Sequence, residues 1–96
     1  MSKYEVMYII RPTVETEARK TLIEEVNAIL TTRGTESVIV NEWGLKEFAY
    51  EIDDLRKGYY VVLTFLANAD AVHELDRVLG LKETIVRHLT VNRDEK

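Results

Sequence analysis

The chain has 96 residues, of which 46 % are apolar and 31 % charged, and it contains no cysteine. This describes one small globular domain with no disulfides, thiolate metal sites or thiol chemistry, for which a reducing cytosol is the default compartment. Thirteen basic against seventeen acidic side chains give a formal net charge of −4. That disfavours uniform phosphate binding but leaves room for a single basic face, because contact depends on local charge.

The first segment, Lys3 to Ile10, is β-branched and aromatic with no helical period. Tyr4, Val6, Tyr8 and Ile10 share one face, and Met7 and Ile9 keep the other face apolar, as in a central strand. Its longest uncharged run, Val6 to Ile10, is too short for a signal-peptide core or a membrane span. Pro12 ends the strand, and Thr13 is the expected N-cap of a helix over Val14–Arg33. Leu22, Val26, Ile29 and Leu30 repeat at i, i+4, i+7 and i+8. Glu15 and Glu17 suit its first turn, Arg33 its last turn, and Gly34 its left-handed stop.

Glu36 to Ile52 reads as a long strand, bent or bulged at Trp43-Gly44, with Lys46, Phe48, Tyr50 and Ile52 on one face. Asp53 to Gly58 is expected to form a loop somewhat longer than two residues, joining it to a strand over Tyr59–Ala67. Asn68 and Asp70 are capping candidates for a second helix through Ala71, Val72, Leu75, Val78 and Leu79, with a stop at Gly80. Ile85 to Arg93 is the last strand. Residues 94–96 form a short charged tail, leaving a single domain over 1–93.

The order β-α-β-β-α-β contains two βαβ halves. Right-handed crossovers place the first and third strands in the middle of a four-stranded antiparallel sheet, with the second and fourth at the edges. Both helices then cover one face, giving an α+β fold of the ferredoxin-like split βαβ type with its other face open. This architecture serves RNA binders, ligand sensors and a few enzymes, so the side chains must decide function.

They provide no catalytic constellation. His73 lies among Glu74, Asp76 and Arg77 as a solvated helix residue, and His88 shares a strand face with Val86 and Thr90. No nucleophile pattern or glycine-rich phosphate loop is present, and His-x-x-x-His metal spacing is missing. The Asp53-Asp54 pair reads as a turn. No metal or cofactor is therefore expected. The bases are better placed for nucleic acid. Arg56 and Lys57 flank the hairpin and Arg93 ends the last strand, with Tyr4, Tyr50, Tyr59 and Tyr60 among the charges. Lys57-Gly58-Tyr59-Tyr60 only begins the aromatic motif of an RRM, so contact through shape and backbone phosphates fits better. Trp43, Gly44 and Leu45 form an apolar cluster at the strand bend, suited either to stapling the bend or to a protein partner. Two edge strands also leave unpaired backbone groups that need protection or invite pairing.

Several segments resemble the bacterial small-subunit ribosomal protein S-six family. Lys3-Tyr4-Glu5 through Pro12 is similar to its opening strand. Trp43-Gly44-Leu45-Lys46-Glu47-Phe48-Ala49-Tyr50-Glu51-Ile52 is similar to its Trp-Gly-basic-basic-x-Leu-Ala-Tyr-x-Ile signature. Lys57-Gly58-Tyr59-Tyr60-Val61-Val62, Glu74 to Leu79 and Val86 to Leu89 follow in order. Glu47, Glu51 and Gly80 depart from the pattern, the first and last standing where basic residues are common and Glu51 where proline is usual.

The resemblance implies a non-enzymatic constituent of the small ribosomal subunit that binds the central domain of 16S rRNA together with ribosomal protein S-eighteen. It places RNA contact on Lys3, Tyr4, Lys46 and Arg87, and charge adds Arg56, Lys57 and Arg93. The protein partner is expected near the long second strand, at Trp43, Leu45 and Phe48. The isolated chain is a candidate for self-association when that partner is missing, a point its sequence leaves open. The rival reading is a non-enzymatic regulatory domain that dimerises through an edge strand or its sheet and senses a small ligand.

Overall fold

A computed structural model describes residues 1–94. Of the charged tail expected at 94–96, only Asp94 is among them; the rest lies outside the described residues. The elements are β1 (Ser2–Ile10), α1 (Thr16–Thr31), β2 (Glu36–Ile52), β3 (Leu55–Ala67), α2 (Ala69–Leu81) and β4 (Ile85–Asn92). The strands form one antiparallel sheet in the order β2-β3-β1-β4, the ferredoxin-like arrangement expected from the crossovers.

Alternation divides each strand between two faces. Val6, Tyr8 and Ile10 of β1 and Val61, Leu63, Phe65 and Ala67 of β3 point to the helices and are essentially solvent-free. They meet Leu22, Ile23, Val26 and Leu30 of α1 and Ala71, Val72, Leu75 and Leu79 of α2 in one core. Burying side chains of this size removes roughly 1.5–3 kcal/mol of unfavourable hydration each, which is what holds both helices to the same face.

Several boundaries differ from those expected. Thr13 does not cap α1; Glu15 precedes the helix in an extended conformation with no side-chain cap bond. The cause is tertiary. The Arg11 amide donates to the Thr84 carbonyl (2.9 Å) and Arg11 Nε to the Glu83 carbonyl (2.7 Å), tying this segment to the approach of β4 and delaying the helix. Arg33 lies beyond the last turn and faces Glu74 at 3.6 Å, while Gly34 takes the expected left-handed conformation (φ 72°). Gly80 does not stop α2, which continues to Leu81.

The β2–β3 connection is shorter than expected. Ile52 pairs with Leu55, so Asp53 and Asp54 alone make the turn, both at positive φ (50° and 64°) as a type I′ hairpin requires. The bulge expected at Trp43-Gly44 is present: the register shifts between Glu42 and Gly44, and Gly44 has φ 87°. A second irregularity lies at Ser37 (φ 54°), between the Glu36 and Ile39 pairings.

Candidate interaction face on the open side of the sheet

The face away from the helices is built from Met7 and Ile9 of β1, Gly58, Tyr60 and Val62 of β3, Arg87 and Leu89 of β4, and Lys46 and Phe48 of β2. The pairings Ile9 with Tyr60 and with Arg87, Met7 with Leu89, and Lys46 with Gly58 set these side chains next to one another. The bulge at Glu42/Gly44 brings Trp43 onto this side too, where its ring lies nearly parallel to that of Tyr60 (centroids 6.5 Å apart, 13°). Phe48 meets Tyr60 edge-on at 6.1 Å. Gly58 makes that packing possible, since a Cβ there would collide with Ile9 Cγ2 and come within 2.9 Å of Phe48 Cζ. Met7, Ile9, Ile52, Tyr60, Arg87 and Leu89 line a shallow concavity of roughly 360 Å³. Trp43 and Leu89 remain more than half exposed, at 53 % and 57 %.

Charge on this face is unlike that of the whole chain. Lys46 and Arg87 flank the apolar centre, and neither has an ion pair among the described residues. The Lys46 ammonium lies 5.8 Å from the Trp43 ring centroid. The neighbouring acids of β2 are directed elsewhere. Glu42 accepts a 2.7 Å hydrogen bond from the Tyr59 hydroxyl on the helix side, and Glu47 pairs with Lys57 in the register that alternates with Lys46 and Gly58. That bond from Tyr59 to Glu42 is the main reason the Tyr59 phenol is held above its ordinary pKa, and Arg19, 4.0 Å over the same ring, works against the shift.

The other residues singled out in the sequence lie apart. Tyr4 is half-buried against the core, stacked on Phe65 with centroids 6.1 Å apart. Leu45 pairs with Tyr59, on the side opposite Trp43 and Phe48, and is 55 % exposed. Arg56 sits near the hairpin turn, 4.0 Å from Glu51. Arg93 is held by Glu5, with Nε 2.7 Å and Nη2 2.6 Å from one carboxylate oxygen, and its amide donates to the Lys3 carbonyl. The Lys3 amide donates to Asp94 at 2.9 Å, leaving the Lys3 side chain exposed on the open face.

Met7, Ile9 and Leu89 belong to the face although the sequence does not single them out as contacts. A signal exists, because both faces of β1 and β3 are apolar in a fold whose helices cover only one. His88 faces α2, with Nε2 4.0 Å from Asp76 Oδ1, and the same oxygen accepts a 2.6 Å hydrogen bond from the Thr90 hydroxyl. His73 is exposed on α2. Among the described residues no three acidic or histidine side chains are grouped to hold a metal, and no helix is long and apolar enough to cross a membrane.

Residues 3–92 match the sequence model of the family described as Ribosomal protein S6. The structure superimposes with a TM-score of 0.91 on the 30S ribosomal protein S6 of Thermotoga maritima, at 33 % identity over 97 % of this chain and 88 % of that one. Members of this family are structural, non-enzymatic constituents of the small ribosomal subunit, and this chain belongs to the ribosomal protein S6 family.

Proposed function

We propose that the protein binds the central domain of 16S rRNA in the cytoplasm as a pair with ribosomal protein S-eighteen, and that the open face of the sheet carries both contacts. One observation supports this most: an apolar centre (Phe48, Tyr60, Ile9, Leu89) lies between two cations, Lys46 and Arg87, that have no ion pair among the described residues. Apolar residues of this size suit a protein partner, and unpaired cations at the margin suit phosphate. Lys3 extends the cationic margin along the sheet and Arg56, 4.0 Å from Glu51, carries it to the hairpin, while Lys57 would reach RNA only from the other side of that hairpin. Tyr4 and Arg93 would serve by shaping that margin, because core stacking and Glu5 already engage them. Leu45 is a contact for whatever grips β2 from its other side.

With a net charge of −4, the chain alone has a poor electrostatic start on RNA, and a basic partner bound alongside raises the effective affinity of both. The test is a gel-shift titration of a 16S central-domain fragment, with and without S-eighteen, at two salt concentrations. Tight binding only with the partner, weakening as salt rises, is the expected result. Partner-independent or salt-insensitive binding would overturn the paired reading. Without its partner, the apolar face drives weak self-association, which sedimentation over a concentration series measures.

A further inference from the structure

We infer that Trp43 and Lys46 form a stacking platform for one unpaired RNA base, so that Trp43 belongs to the RNA contact and not to the protein partner with which its position in β2 first grouped it. The inference rests on the proposed rRNA binding and names the contact within it.

Three observations carry it. The β2 bulge, with Gly44 at φ 87°, turns the indole onto the open face at the edge of the sheet, beside Tyr60 but not among the residues that line the concavity. Its plane is set by the parallel ring of Tyr60, yet 53 % of the residue stays exposed. The Lys46 ammonium sits 5.8 Å from the same ring, with no ion pair among the described residues. A fixed aromatic plane with a long, flexible lysine over it suits a single-stranded base and its phosphate: the base takes the lysine's place on the indole and the ammonium moves to the backbone's negative charge. An apolar protein side chain would use the plane but leave the Lys46 ammonium to be desolvated without a counter-charge, which is costly.

The chain contains one tryptophan, so its fluorescence reports this site alone. The experiment titrates the protein, with and without S-eighteen, with a 16S central-domain fragment at low salt, reading fluorescence and gel shift on the same samples. Quenching that saturates together with the shift is expected. Trp43→Leu should weaken binding about tenfold, the order expected for one stacked base, with an unchanged salt dependence. Trp43→Phe should recover part of the affinity, and Lys46→Gln should lower the log–log salt slope by about 0.7–0.9. A gel shift without quenching would overturn the assignment. So would a Trp43→Leu variant that binds RNA normally alone but loses the gain from S-eighteen, since that outcome places the indole in the protein interface. Absence of any shift even with S-eighteen present would remove the underlying rRNA reading, and is told apart by the shift itself.

Discussion

Substituting Gly58 by alanine tests how the open face is assembled. Gly58 is buried between Ile9 and Phe48, and an added Cβ would clash with Ile9 Cγ2 and sit 2.9 Å from Phe48 Cζ. Its backbone is not in the left-handed region, so alanine is conformationally acceptable and even recovers roughly 0.5–1 kcal/mol of strand entropy. Overpacking of a closed site costs about 1–3 kcal/mol, because neighbours must leave their rotamers or the strands must shift. The net expectation is a loss of about 1–2 kcal/mol. For a domain of this size that lowers the thermal midpoint by roughly 5–15 °C. Thermal unfolding followed by circular dichroism measures it. Adding Ile9→Leu, which removes the β-branch methyl, should recover part of the loss. A Gly58→Ala protein with an unchanged or raised midpoint would refute the packing argument, and with it the claim that Phe48 and Ile9 hold the apolar centre in place.

Tyr8 gives a pH-dependent prediction. Its hydroxyl is buried with no hydrogen-bond partner among the described residues, and burial, with a smaller effect from Glu42, holds its pKa well above the ordinary 10.0. Below that value the phenol is neutral in both states and stability is unaffected. Above it the unfolded chain loses a proton that the folded chain keeps, so stability falls by up to about 1.4 kcal/mol per pH unit. Tyr8→Phe should flatten this alkaline decline in a denaturant titration and should add about 1 kcal/mol at neutral pH by removing an unsatisfied hydroxyl; a decline identical to wild type would contradict it. At the hairpin turn, Asp54→Gly should stabilise by roughly 0.5–1 kcal/mol, because φ 64° costs a residue with a Cβ but not glycine. Equilibrium unfolding that shows no gain would count against the type I′ assignment. Thr90→Val should cost about 1–2 kcal/mol by removing the 2.6 Å bond to Asp76 that links β4 to α2, and a neutral result would show that water replaces it.

Much of the fold is legible in the sequence because its signals are local. Apolarity on both faces of Lys3–Ile10 marks β1 as central, the helical repeat of Leu22, Val26 and Leu30 marks α1, and Trp43-Gly44 marks the bulge. What escapes depends on residues distant in sequence. Thr13 is a reasonable cap until Arg11 is seen to be bound to Glu83 and Thr84. Asp53-Asp54 lacks the glycine that usually announces a two-residue turn, and only the Ile52–Leu55 pairing reveals it. The site is legible in its parts but not in its grouping. Lys46, Arg87, Trp43 and Phe48 stand out along the chain, yet their meeting around Tyr60 and Ile9 follows from the register of the four strands. Conversely, Arg93 reads as a free cation because its partner Glu5 lies at the other end of the chain.

An acidic protein that meets RNA through the cations of its open face must lose salt sensitivity when those cations are removed. The most direct test is the salt dependence of binding to the 16S central-domain fragment, with S-eighteen present, for the Lys46→Gln/Arg87→Gln double variant. Each phosphate that is no longer neutralised should lower the log–log slope by about 0.7–0.9, so a slope reduced by roughly 1.4–1.8 and weaker binding at low salt are expected. A double variant with the wild-type slope and affinity would contradict it and place the RNA on another surface.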